Sequence, residues 1–186
     1  MKQATPVSLT EKKLSSETLF EGKVLTLQKD TVSLPNGKEA LREVIRHKGA
    51  VCVIAYNEKD ETILTVKQYR YAQEEVLLEI PAGKLDFAGE DPLDAAKREL
   101  SEETGYTAAK WVPLGLYYGS PAILDEKIHM FAAFDLAKGE THPDEDEFLQ
   151  ICHLPLKEAK EAVLRAEIPD GKTQVAILRL CAMLSI

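Results

Sequence analysis

Apolar positions along this chain follow two rhythms, and the change from one to the other marks the predicted elements. Val24 to Leu34 and Glu39 to Arg46 read as two strands, and Pro35-Asn36-Gly37 between them is a hairpin signal. Gly49-Ala50 opens a continuous apolar run, Val51 to Tyr56, of the kind a strand buried on both faces needs. A polar turn, Asn57 to Glu61, leads to a strand from Thr62 to Tyr69 that continues into Arg70-Tyr71. Val76 to Ile80 is a short apolar run ended by Pro81. Further on, Trp111 to Tyr118, Ile128 to Leu136 and Leu149 to Leu154 read as strands, with Gly119-Ser120-Pro121 breaking the first. Leu156 to Ala166 is a predicted helix with Leu156, Ala159 and Val163 inward, and Lys172 to Leu184 a second with Val175, Leu178, Leu180 and Leu184 as its apolar positions. Residues 1 to about 18 carry no such rhythm and read as a polar lead. Strands of both connectivities with about three helices predict an α/β (α+β) fold, a mixed sheet between helices. The first 47 residues form a small N-terminal antiparallel β unit, and 48–186 the main domain. A hairpin buries too little to stand alone, so the small unit is expected to pack on the core or on another subunit.

The third helix lies in the middle of the chain, between Asp91-Pro92, a start signal, and Gly105, a stop signal. Leu93, Ala96, Leu100 and Thr104 form its inward stripe, and at 3.6 residues per turn Glu99 and Glu103 lie together on one flank of it. Arg98 and Glu102 stand one turn apart. The arrangement is unfavourable alone: like charges at i, i+4 repel, and acids on a last turn face the negative end of the helix dipole. A divalent cation reverses that sign, and carboxylate oxygens suit Mg²⁺ or Mn²⁺. A run of acids on a helix is more often only a solvated face, so its flanks decide the matter.

Composition narrows the classes. The chain has 186 residues, 45% of them hydrophobic, enough for one sizeable core with a small extension. A formal net charge of −8 argues against a nucleic-acid backbone or an anionic membrane as the partner, and makes an anionic substrate depend on a metal and on local arginines and lysines. Cys52, Cys152 and Cys181 are odd in number, sit in apolar stretches and lack metal-ligand spacing, so they read as buried thiols in a reducing compartment. The opening MKQATPVSLTEKKL has no apolar core for a signal peptide, and no run approaches transmembrane length; a cytoplasmic protein is expected.

Gly83, Glu90, Arg98-Glu99-Leu100, Glu102-Glu103 and Gly105-Tyr106 together resemble the Nudix box of pyrophosphohydrolases. One departure is visible: six residues, rather than the pattern's five, separate Gly83 from Glu90, and the extra one falls at Phe87-Ala88. Within that family the chain resembles the ADP-ribose pyrophosphatases, which carry a proline turn followed by an acidic pair about fifteen residues past the box. Ser120-Pro121 and Asp125-Glu126 stand in those places here, with Ala122 where glycine is usual. Lys67 to Arg70, Glu79 to Lys84 and Leu41-Arg42-Glu43 are also similar. The resemblance implies a Nudix-type α/β/α sandwich and divalent-metal-dependent hydrolysis of ADP-ribose to AMP and ribose 5-phosphate, with Mg²⁺, or Mn²⁺, as cofactor. The alternatives are another nucleoside-diphosphate sugar as substrate, or a catalytically silent ADP-ribose-binding regulator. Glu99, Glu102 and Glu103 are all retained, which favours the enzyme.

The resemblance also assigns roles. Glu99 and Glu103 are the principal metal ligands, completed by Glu102 and the Ala82 carbonyl, with Arg98 orienting a ligand glutamate and Glu90 tethering the loop. The water-activating base comes from the acidic loop Asp144 to Glu147: Glu145 is favoured, with Glu147 either a further metal ligand or the base itself. Arg42, Glu43, Arg70, Glu79, Pro121 and Glu126 are the substrate-binding candidates, arginine being suited to bidentate phosphate contacts. The implied assembly is a homodimer in which the N-terminal unit crosses over, carrying Arg42 toward the partner's site. Tyr117, Tyr118 and Trp111 are candidates for stacking on adenine, with Trp111 the more natural core residue.

Overall fold

Alternation along the central strand β4 (Ala50–Asn57) builds both faces of the main sheet. In the computed structural model, which describes residues 8–87, 89–140 and 148–186, Val51, Val53 and Ala55 point to one apolar cluster, and Cys52, Ile54 and Tyr56 to another. The first cluster is closed by Ala95, Ala96 and Leu100 of helix α1 (Pro92–Thr104). The second is closed by Leu156, Ala159 and Val163 of α2 (Leu156–Leu164) and by Ala176, Ile177 and Leu180 of α3 (Gly171–Leu184). A strand covered on both faces needs the continuous apolar run found there, and the result is a sheet sandwiched between helices.

Among the described residues that sheet has seven strands. Its path runs β10 (Leu149–Pro155), β5 (Thr62–Arg70), β4, β9 (Ile128–Lys138), β8 (Tyr106–Tyr117). β6 (Glu75–Glu79) pairs with β5, and β7 (Ala82–Lys84) with β4. β4 and β9 are parallel and the other pairings antiparallel, so the sheet is mixed as expected. β8 begins directly after the helix-capping Gly105, earlier than the predicted Trp111.

The chain divides into two units, and the sheet and its helices form the second, Lys48–Gly119 with Lys127–Ile186. The first comprises the described residues up to His47 together with Ser120–Glu126. It holds an antiparallel sheet of β1 (Lys12–Glu21), β2 (Thr26–Ser33) and β3 (Glu39–Arg46). The predicted hairpin is β2 and β3. The polar lead is corrected: Lys12 to Glu21 is a strand paired along β2. All ten of its residues are exposed, so neither face leaves an apolar rhythm. Segment 120–126 joins this unit through Ile45 N–H to Ile123 O (2.7 Å) and Asp125 N–H to Ile45 O (3.1 Å).

Two other expectations change. α3 buries Thr173, Ala176, Ile177, Leu180 and Cys181, while Leu178 is exposed and Val175 and Leu184 are half-buried. The helix is apolar on nearly every side, so periodicity does not select its face. Cys52 and Cys181 are buried, and desolvation pushes the Cys52 thiol up to about 12, but Cys152 is only half-buried. No described helix is long and apolar enough to cross a membrane.

Candidate active site

Helix α1 starts and stops where its caps dictate. The Asp91 carboxylate accepts from Leu93 N (2.9 Å) and Asp94 N (3.2 Å), Pro92 follows at the first turn, and Gly105 closes the helix in the left-handed region at φ 70°. Of the inward stripe, Ala96, Leu100 and Thr104 are buried and Leu93 half-buried. The fixed phase of the helix carries Glu99 and Glu103 inward with that stripe, leaving them 8% and 4% exposed. Two carboxylates buried one turn apart are not a solvated face.

The segment facing them is β7. Val53 N–H donates to Pro81 O (2.8 Å) and Leu85 N–H to Gly49 O (3.1 Å), so the odd positions turn toward β4. Ala82 lies between them and turns its N–H and C=O the other way. Its N–H donates to Glu103 Oε2 at 3.2 Å, and its carbonyl shares that side. At Gly83 any Cβ would overlap the Glu99 carboxylate. Glycine is therefore required by close approach rather than by backbone angle.

Arg98 ties the acids together. Nη1 donates to Glu99 Oε1 (2.8 Å) and Glu102 Oε2 (3.1 Å), and Nη2 to the Lys84 carbonyl (3.3 Å) and Glu90 Oε1 (3.5 Å). Nε lies 3.4 Å from Asp86 Oδ2 without hydrogen-bond geometry. Burial opposes the arginine's charge, but Glu99 and its neighbours outweigh it and hold the guanidinium above its ordinary value. Glu90 Oε2 accepts from Asp86 N (2.7 Å), so Glu90 closes the loop ahead of α1, and the extra residue of that loop leaves the helix spacing unchanged.

Carboxylate oxygens and a turned-out carbonyl are the donor kinds a hard divalent cation takes. Glu99, Glu103, the half-exposed Glu102 and the Ala82 carbonyl are donors of that kind. Among the described residues no three His, Cys, Asp or Glu side chains close around a single point. Glu145 and Glu147 lie outside the described residues.

Arg70 and Glu79 meet on the neighbouring strands β5 and β6. Arg70 Nε and Nη2 donate to the two oxygens of Glu79 at 2.6 and 2.7 Å. Glu79 is 1% exposed and is also held by Lys172 of α3. Burial pushes its carboxyl up, but Arg70's hydrogen bonds and Lys172's charge win and hold it below its ordinary value. Arg70 is raised, first by Glu79 and also by the field of Glu103. Lys172 reads in the sequence only as the first residue of a helix, since pairing across 93 residues leaves no local signal.

Arg42, Glu43, Pro121 and Glu126 belong to the first unit. Arg42 forms a two-bonded pair with Glu11 (3.0 and 2.5 Å). Glu43 and Pro121 are exposed. Glu126 lies 3.2 Å from His47 Nδ1, and Asp125 accepts from His47 N and Arg46 Nη1. Trp111 is a packing aromatic, edge-on to Phe131 with its Nε1–H donating to Ala108 O; Tyr117 is packed against the core and Tyr118 exposed.

Comparison with known proteins bears on the same two segments. The NUDIX domain model matches residues 46–174, and a model described as nucleoside diphosphate sugar hydrolase N-terminal domain matches residues 11–45. The chain is 44% identical over 172 residues to an ADP-ribose pyrophosphatase of Bacillus subtilis, covering 91% of this chain and 92% of that one. It is also 44% identical over 169 residues to a methanol dehydrogenase activator of Bacillus methanolicus, covering 90% of each. A crystal structure of an ADP compounds hydrolase superposes with a TM-score of 0.84 at 22% identity, over 98% of this chain and 97% of that one, which establishes the likeness of fold.

Proposed function

The chain belongs to the Nudix family of hydrolases, and from that premise we propose that it splits the diphosphate of ADP-ribose, releasing AMP and ribose 5-phosphate. The observation that carries this reading is the burial of Glu99 and Glu103 against Ala82 and Gly83, an arrangement repulsive by itself. The 44% identity to a named ADP-ribose pyrophosphatase supplies the substrate. Identity is equal to a relative named as a methanol dehydrogenase activator, and hydrolysis is favoured here by the presence of Glu99, Glu102 and Glu103 together.

In the reaction a water oxygen bonds to one phosphorus, the bridging P–O bond breaks, and the displaced phosphate leaves. Glu99, Glu103, Glu102 and the Ala82 carbonyl would hold the divalent cation, Mg²⁺ in this proposal. Bound there, such an ion neutralises phosphate oxygens and acidifies water. Arg98 orients Glu99 and Glu102 through its two Nη1 hydrogen bonds. Glu145 takes the proton of the attacking water, with Glu147 a further ligand or the base itself. Arg70, braced by Glu79, offers its guanidinium to the diphosphate.

The proposal extends to a cytoplasmic homodimer with neither nucleic acid nor membrane as partner. Residues 1–47 act in it as the dimerisation unit and 48–186 as the hydrolase domain. Arg42, Glu43, Pro121 and Glu126 serve as substrate contacts, Arg42 reaching the site of the partner. Support comes from the N-terminal family match at residues 11–45 and from exposed Leu14, Leu19, Phe20 and Leu41 in the first unit. The test is AMP release from ADP-ribose, other ADP- and GDP-sugars and dinucleotides, with Mg²⁺ and with chelator, beside sedimentation for oligomeric state. Selective, metal-dependent AMP release from ADP-ribose is expected. Preference for another nucleotide sugar would replace the substrate, and saturable ADP-ribose binding without turnover would replace the enzyme by a regulator.

A further inference from the structure

The first turn of α3 holds charges for which the reaction above has no use. Asp170 caps the helix, its Oδ2 accepting from Thr173 N at 2.9 Å. The fully buried Thr173 hydroxyl accepts from Ile80 N at 3.0 Å. Lys172, with its side chain 11% exposed, donates to Glu79 Oε2 and, at 3.1 Å, to Asp170 Oδ1. Two consecutive residues of the helix thus grip two consecutive residues, Glu79 and Ile80, immediately ahead of Pro81-Ala82-Gly83.

A buried ammonium survives only when paired and hydrogen-bonded. Here the pairing sets a charge balance. Arg70 and Lys172 carry two positive charges, Glu79 and Asp170 two negative ones, and the four sum to zero. Without Lys172 the group carries one net negative charge, on a cleft wall shared with Arg70. Arg70 commits Nε and Nη2 to Glu79, leaving Nη1 outside the pair. A diphosphate approaching Arg70 would then meet a guanidinium whose charge is more than cancelled behind it.

We propose that Lys172 is a positioning residue for substrate: through Glu79 it fixes the guanidinium of Arg70 and cancels the negative charge that would repel the diphosphate. This rests on the hydrolytic reading above. The experiment is steady-state hydrolysis of ADP-ribose by the wild type, Lys172→Met, Lys172→Arg and Asp170→Asn, with thermal melting of each. Lys172→Met is expected to raise KM about tenfold with kcat nearly unchanged, the size typical of losing a residue that orients a ligand through another. Lys172→Arg keeps the charge and should restore KM to near the wild-type value. Asp170→Asn keeps a capping oxygen but adds one net positive charge, so it should lower KM, and it decides the matter even if Lys172→Met fails to fold. A purely structural lysine would instead lower the melting temperature and the active fraction, reducing kcat at constant KM. An unchanged KM in a folded Lys172→Met, or a raised KM in Asp170→Asn, overturns the proposal while the hydrolytic reading stands. A wild type that releases no AMP from ADP-ribose overturns both.

Discussion

At position 83 a methyl group would fall on the Glu99 carboxylate, so Gly83→Ala must displace either the glutamate or the loop. The expected outcome is loss of at least about 100-fold in kcat/KM, of the order seen when one preorganised electrostatic group is lost. The melting temperature should move far less, because the substitution lies at the rim of the core. Glu103→Gln tests the neighbouring carboxylate without changing its shape. Its amide oxygen still accepts from Ala82 N, and the repulsion with Glu99 is relieved. A loss of at least about 100-fold in turnover, together with a melting temperature equal to or above that of the wild type, is expected. Near-wild-type turnover would remove Glu103 from the site. Both substitutions separate function from folding at single residues, since the local arrangement is favourable for catalysis and unfavourable for the helix.

At the scale of elements, α1 is the part that places the chemistry. Its phase is set at the start by Asp91 and at the end by Gly105. A one-residue shift would turn Glu99 and Glu103 about 100° away from β7. Asp91→Ala removes both cap bonds, to Leu93 N and Asp94 N. It should lower stability by about 1 kcal/mol, or roughly 2–4 °C in melting temperature for a chain of this size. Chemical denaturation monitored by circular dichroism checks this. Because the sandwich holds α1 by Ala95, Ala96 and Leu100, turnover should survive the loss of the cap at 25 °C. β7 is the other half of the element pair: only three residues long, it owes its position to bonds with β4 on one side and Glu103 on the other.

For the whole molecule, the buried network around Glu79 links folding to pH. The folded-state carboxyl is held below its ordinary value near 4.5, so it binds protons more weakly folded than unfolded. Its contribution is therefore complete above the unfolded value and is lost as pH falls through the folded one. Glu79→Gln should destabilise the protein at pH 7 by about 3 kcal/mol, since two cations lose a buried partner. It should also flatten the acid limb of stability below about pH 4.5. Denaturation curves at pH 7 and across pH 5 to 3 give both quantities. A parallel acid limb in the variant would show that other carboxyls carry the linkage.

What the sequence determined by itself is whatever depends on neighbours along the chain. Asp91-Pro92 and Gly105 bound α1 to the residue, the apolar run of β4 announced a strand covered on both faces, and Pro35-Asn36-Gly37 marked the β2–β3 turn. The box of acids was legible for the same reason, its spacing being that of one helix. Strand β1 was not legible, because all its residues are exposed and an edge strand without a buried face has no period to read. The buried face of α3 was ambiguous because the helix is apolar almost all round. Only the tertiary structure decided that Gly83 lies under Glu99, that Ala82 turns its amide to Glu103, and that Lys172 closes the Glu79–Arg70 pair. Those contacts join residues 16, 21 and 93 positions apart. No local rule encodes them; they follow from packing helices on both faces of one sheet.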